Sequence, residues 1–360
     1  MVAGKPCYSI RSEPLGHVRA EDVDFVNAFL TRLLCANKNM IDDHGSNGKW
    51  DTAKTFTNPY ELVYKTDAIA FAPVSRAFFK MWEMMVDYGI GCDGPLSIGY
   101  IAEGPGGFIQ AAVEYRRSVF GGSCDRHSAI TLVSKRKSVP CWKISSDWAE
   151  RNNVEFYYGE DGSGDIYNVA NIRAFAARCS GYDVMTADGG FDFSGDFNSQ
   201  ERSVLRMLAS EVLCALLCLR EGGVFVFKAF DTLTRATACI IQVLTECFAE
   251  VDCVKPLSSR PANSEKYFVC RGYDRASGNA RVGAMEAVVR YEGGGIEDAI
   301  ERALPLDAGV YYRVSLVNIA LVSRQLMYIS KTLSFISRGY RDLTRRDQEA
   351  LAVSWTDHYM

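Results

Sequence analysis

The chain has 360 residues, 48% of them hydrophobic, and a formal net charge of −4. This composition excludes global disorder and leaves room for one large α/β domain with extensions, or for two domains. It also excludes an overall basic nucleic-acid binder, so any such contact has to come from a local patch.

At the N-terminus, MVAGKPCYSIRSEPLGH lacks the apolar core of a signal peptide, and no apolar run downstream is long enough to span a bilayer. Residues 21–37 place apolar side chains at helical spacing and predict an amphipathic helix. The polar stretch 44–60 reads as a loop or surface arm, and SRAFFKMWEMMVDY as a second helix, carrying Lys80. Short apolar runs then alternate with helical stretches, the pattern of a parallel α/β sheet. Strands are expected at 96–102, 128–133, 154–158, 182–187 and 222–230, with helices after EGPGGF, at 201–220 and at 234–248. VDCVKP is a further apolar run, and 266–273 is the last candidate strand. The Gly-, Ser- and Asn-rich stretch 272–283 is taken as a boundary, followed by a long helix over 311–338 and a short one at the end of the chain. Most of the twelve cysteines lie in apolar segments, for example Cys214, Cys218, Cys239, Cys247 and Cys270. There is no CxxC pair, and His17, His44, His127 and His358 are scattered. This favours reduced, buried cysteines in an intracellular protein over a zinc site or disulfide framework.

Four charged residues stand at informative places: Lys80, Asp188 ending a strand, Lys228 near the end of an apolar strand, and Glu265 in SRPANSEKY. Lys228 and Asp188 are expected at the carboxyl edge of the sheet, where ligands bind in open α/β folds; a lone lysine there is otherwise simply solvated. Strand–EGPGGF–helix is a turn that admits a ligand to the backbone, although such turns also serve plain packing. It lacks GxGxxG and the P-loop pattern, and its spacing resembles the S-adenosylmethionine loop of class I methyltransferases. Asp165 is either an adenine contact or the N-cap of the next helix. A base at Lys228 needs a lowered pKa. Desolvation and Lys80 push that way, while Asp188 and Glu265 push the other way and orient the amine. No metal is needed.

The order of SRAFFK, EGPGGF, MTADGG, FVFKAF and SRPANSEKY resembles the Lys-Asp-Lys-Glu tetrad of FtsJ-type RNA ribose 2′-O-methyltransferases. ADGGF, GGVFVFKAFD, KPLSSRPANSEKYFVC, TNPYELVYK and GEDGSGDI are similar to the mRNA cap branch of that family, from roughly Asn58 to Tyr273. The resemblance implies a Rossmann-like class I methyltransferase sheet, mostly parallel with its last strand antiparallel, between N-terminal (1–57) and C-terminal (274–360) helical extensions. It implies S-adenosylmethionine as cofactor and the ribose 2′-hydroxyl of the first transcribed nucleotide of capped mRNA as acceptor. The corresponding enzymes of ribosomal or transfer RNA, and an inactive RNA-binding scaffold, are the alternatives. Lys228 would be the base, Asp188 and Glu265 its orienting acids, and Lys80 a further catalytic residue that places the hydroxyl. Gly104, Pro105, Gly106, Gly107 and Phe108 would form the cofactor loop, with Thr131, Leu132 and Asp165 around the adenosine and Asp188 beside it. The acidic residue common in the family's first strand is replaced around Tyr100, and Glu103 is the candidate to hold the methionine ammonium instead.

For RNA, Ser259, Arg260 and Asn263 are the preferred contacts. A basic stretch (Arg116, Arg117, Arg126, Lys135, Arg136, Lys137, Lys143, with Trp142 and Trp148 for stacking) is a weaker one, since charge runs are mostly solvated faces. The capped 5′ end of mRNA is the expected partner, with the C-terminal helices as a candidate surface for a protein. A nuclear, cytoplasmic or viral-factory location is expected, as for stripped-down catalytic units of viruses or protists.

Overall fold

The computed structural model describes residues 5–10, 19–44, 48–65, 69, 71–91, 94–121, 124–136, 139–179, 181–190 and 198–360. Eight strands form one sheet: β1 (Cys7–Ser9), β2 (Ser97–Ile101), β3 (Arg126–Ile130), β4 (Val154–Tyr157), β5 (Tyr182–Ala187), β6 (Leu219–Ala229), β7 (Phe248–Val254) and β8 (Lys266–Tyr273). Their order is β1-β7-β8-β6-β5-β2-β3-β4. The run from β6 to β4 is parallel, as the alternating pattern predicts, and β8 is inserted antiparallel between β6 and β7. The central strands are apolar because both faces are covered, so Ile98, Ile101, Met185 and Phe225 are all buried.

Helices α3 (Ala77–Tyr88), α4 (Gly107–Phe120), α5 (Ser146–Arg151), α6 (Val169–Ala177), α7 (Gln200–Cys218) and α8 (Arg235–Cys247) flank the sheet. The extensions supply α1 (Ala20–His44), α2 (Lys49–Thr57), α9 (Arg275–Val289), α10 (Ile296–Ala303), α11 (Ala308–Arg338) and α12 (Arg345–Tyr359). Cys214, Cys218, Cys239, Cys247 and Cys270 are core residues. No helix among the described residues is long and apolar enough to cross a membrane.

One local expectation is corrected, and at two other places the structure adds an element. The polar stretch 44–60 contains α2, which buries only Ala53 and Thr57 and is fixed from outside by polar contacts. The Thr57 and Thr332 hydroxyls lie 2.7 Å apart, and Gln348 Nε2 donates to Thr55 O at 2.9 Å. The glycine-rich stretch 272–283 folds as the end of β8 and the first half of α9. Asp274 Oδ1 caps that helix by accepting from Ser277 N at 2.6 Å, and Met285, Val288 and Val289 join the core. β1, too short to show any period, adds an antiparallel edge to β7. The C-terminal helices fold back on their own chain: α11 packs beside α1, and Trp355 of α12 is buried against Phe79.

Candidate active site

Register brings the charged residues together. Ala187 of β5 pairs with Phe227 of β6, so Asp188 and Lys228 leave the sheet side by side at its carboxyl edge. Lys228 pairs in turn with Tyr267 of β8, and Ala229 with Lys266, which sets Glu265 at the same rim. Lys228 Nζ donates to Asp188 O at 2.7 Å and lies 3.2 Å from Asp188 Oδ1. Lys80, one turn into α3, is 2.8 Å from the Glu265 carboxylate, which also accepts from Ser259 Oγ at 2.7 Å. Tyr267, which sequence reasoning passed over, joins the two pairs. Its hydroxyl donates to Asp188 Oδ1 at 2.9 Å, and its ring centre is 5.9 Å from Lys80 Nζ.

The electrostatics correct one expectation. Burial lowers the Lys228 pKa, but Asp188 and Glu265 outweigh it, so the ammonium is held above its ordinary value. Burial likewise pushes the Glu265 carboxyl up, and the ammonium groups of Lys80, Lys228 and Lys255 override it, holding it well below the usual carboxylate range. Two further acids lie behind the rim, both with raised pKa values. Burial, with Asp188 and Glu211 nearby, raises Glu103 despite the hydrogen bond its Oε1 accepts from Thr186 Oγ1. Glu211 of α7, buried beneath Gly189, is pushed up to about 8 by burial. An added Cβ at Gly189 would collide with the Glu211 carboxylate. The one sequence signal for Glu211 was its place just before the apolar run VLCALLC that ends α7.

A cleft of about 840 Å³ runs along this rim. It is bordered by Ala102, Gly104, Thr131, Leu132, Gly164 and Asp165, by Asp188, Lys228 and Glu265, and by Arg260, Asn263, Trp50 of α2 and Tyr328 of α11. Thr131 and Leu132 follow the last residue of β3 instead of ending it. Asp165 is not a helix cap: Asn168 caps α6, accepting from Ala170 N at 3.1 Å, while Asp165 Oδ1 accepts from Tyr167 N at 2.8 Å. In the glycine turn, side chains at Gly104 and Gly106 would run into Pro140 and Ile144, so these glycines answer to the chain's own packing as well as to the cleft. Pro105, Gly106, Gly107 and Phe108 do not border the cleft; Phe108 is buried against Tyr267.

Of the RNA candidates, Arg260 and Asn263 border the cleft, whereas Ser259 is turned to Glu265. Arg260 forms a two-pronged pair with Glu61 at 3.0 and 2.7 Å, and Arg76 shares that carboxylate at 2.9 Å. The basic stretch is not one surface. Arg116 is buried against Asp125 at 2.8 Å, Arg117 pairs with Glu114, Trp142 stacks on Phe156 at 4.6 Å, and Trp148 packs against the core. Lys135, Arg136 and Lys143 are exposed, and Lys137 lies outside the described residues.

Residues 73–273, from just before α3 through β8, match the FtsJ-like methyltransferase family. The chain belongs to that family. Among curated relatives of this FtsJ-like methyltransferase is cap-specific mRNA (nucleoside-2′-O-)-methyltransferase 1 of Danio rerio, 32% identical over 278 residues, 70% of this chain and 32% of the relative. The Homo sapiens protein of that name is 33% identical over 244 residues, 61% and 28% of the two chains. Cap-specific mRNA (nucleoside-2′-O-)-methyltransferase 2 of Danio rerio is 29% identical over 210 residues, 55% and 28%. The chain thus spans about a third of the length of these relatives.

Proposed function

We propose that this FtsJ-like methyltransferase transfers a methyl group from S-adenosylmethionine to the ribose 2′-hydroxyl of the first transcribed nucleotide of capped mRNA. The observation that carries this reading is that Asp188, Lys228 and Glu265 border one cleft at the carboxyl edge of the sheet, with Lys80 paired to Glu265 behind them. The printed names of the relatives support the cap as substrate.

The residues fit the cofactor. Glu103 Oε2 is buried without a hydrogen-bond partner among the described residues, an orphan that a cationic amine would satisfy. Glu103 stands between Ala102 and Gly104, which border the cleft, and Asp165 borders it with one carboxylate oxygen engaged by its own turn. When bound, S-adenosylmethionine supplies the methyl group on a sulfonium, a good leaving group and one more positive charge near Lys228. Lys228 takes the 2′-hydroxyl proton, Asp188 and Tyr267 fix the amine's direction, and Lys80, held by Glu265, places the hydroxyl oxygen. The main work is in-line alignment, which lowers barriers through lost freedom prepaid in binding. On this reading 58–273 is the methyltransferase unit, with 1–57 and 274–360 as extensions that border the cleft through residues such as Trp50 and Tyr328.

The test is transfer of labelled methyl to short RNAs differing only in a 5′ cap or a 5′-triphosphate, followed by nucleoside analysis. We expect at least roughly tenfold preference for the cap, equal to about 1.4 kcal/mol in the transition state, with the label on the ribose next to the triphosphate bridge. Equal rates, or label at internal positions of structured RNA, would move the assignment to the ribosomal or transfer RNA class.

A further inference from the structure

The tetrad accounts for Glu265 but not for the ammonium directly behind it. Lys255, just past the end of β7, is buried and has no carboxylate within ion-pair distance among the described residues. Burying such a charge is unfavourable unless its donors are well used. All three acceptors lie in the one loop that ends at Glu265: Asn263 O at 2.9 Å, Asn263 Oδ1 at 2.5 Å, and Glu265 O. A methionine would fill the same volume, so the gain from a lysine here is geometric.

That geometry settles which way the Asn263 amide faces. Burial lowers the Lys255 pKa to about 7, and in its ammonium form the group only donates, so the atom turned inward is then the side-chain oxygen and the amino group is left on the other side. Asn263 borders the cleft, two residues before Glu265. The start of the same loop is seated just as firmly. Glu83 of α3, 0% exposed, accepts from Leu257 N and Ser258 N, each at 2.7 Å, and stands three residues after Lys80. Both ends of the loop are therefore registered against fixed elements, one by a buried anion and one by a buried cation.

We propose that Lys255 is a positioning residue for this reaction: it seats the Glu265 backbone and turns the Asn263 amino group to the cleft, where it donates to an acceptor oxygen of the RNA. This rests on the reading of the cleft as an RNA methylation site and requires no particular 5′ end. Asn263 is then a donor-only position, selective for phosphate, ribose or carbonyl oxygens. Lys255 acts through it without touching substrate.

The decisive variant is Asn263→Asp, which keeps an oxygen facing Lys255 while replacing the donor by an acceptor. Steady-state methyl transfer should show KM for RNA raised at least roughly tenfold, kcat within about threefold of wild type, and cofactor affinity and thermal stability retained. Lys255→Met should lower kcat about tenfold or more, because Glu265 loses its seat, and should raise KM as well. Adding Asn263→Asp to Lys255→Met should raise KM little further, since the amide is no longer held. Unchanged KM in Asn263→Asp, or effects that multiply in the double variant, would overturn the proposal. If Lys255→Met fails to fold, Asn263→Asp alone decides, because its lysine partner is intact. Every variant is assayed on whichever RNA the wild type prefers, so loss of cap preference counts against the substrate assignment and leaves this comparison standing.

Discussion

Lys228 rests as an ammonium with Asp188, Glu265, Glu103 and Glu211 around it, yet its proposed task is to accept a proton. Single-turnover methyl transfer should therefore rise with pH across the neutral range, as the amine form becomes more populated. Lys228→Arg, which stays protonated, should lose transfer by about 10²–10⁴-fold with cofactor binding kept. Near-wild-type turnover by the arginine variant would remove Lys228 from the base role. Glu211 gives a separate pH signature. Its folded pKa of about 8 lies above the unfolded value of 4.5, so the native state holds a proton that the unfolded chain gives up between those values. Its contribution to stability is complete below pH 4.5 and is lost as pH rises towards 8. Glu211→Gln should flatten that part of the stability–pH curve, as measured by urea unfolding at pH 5, 6.5 and 8; a curve parallel to wild type would show that Glu211 is already ionised. At this scale, the convergence of Lys80, Asp188, Lys228 and Glu265 was legible because each ends a strand or sits in its own motif. Glu211, Lys255 and Tyr267 were not, because what they contact is set by register and by the turn of α7, which no local pattern reports.

Among the elements, the strands were the most legible, because runs such as YDVMTA and GGVFVFKAF are apolar for a reason that also buries them. Helices held by polar contacts were not. α2 depends on Thr332 and Gln348, 275 and 293 positions away, and α9 on an aspartate cap that outweighs its glycines. The turn at Asp165 gives a test at this level. With Asn168 as the helix cap, Asp165→Ala should weaken cofactor affinity by an amount set by a charged hydrogen bond, about 1.5–3 kcal/mol, while thermal stability changes little. Calorimetric titration with S-adenosylmethionine alongside a melt separates the two. A large loss of stability with affinity intact would return Asp165 to a purely structural role.

The whole molecule is a mostly parallel α/β sheet, and its added helices α2 and α11 reach the cleft through Trp50 and Tyr328. The α/β class followed from alternation alone; the antiparallel place of β8 followed only from the family resemblance, and the packing of the extensions from neither. α12 matters most here. Trp355 is fully buried against Phe79 at 5.7 Å, and its Nε1 donates to Glu83 Oε1 at 3.0 Å. Trp355→Ala should cost about 3–5 kcal/mol, the range for deleting a large core aromatic, and lower the midpoint of thermal unfolding. A shift of only a degree or two would place α12 outside the cooperative unit.

Glu83 accepts at once from the Leu257 and Ser258 amides and from the Trp355 indole. On the ribosome these donors arrive about a hundred residues apart. A nascent chain that has emerged through Tyr273 already carries all four charged residues of the rim, but the carboxylate that seats their loop still lacks its indole donor. Methyl transfer should consequently switch on late in synthesis, with the emergence of Trp355.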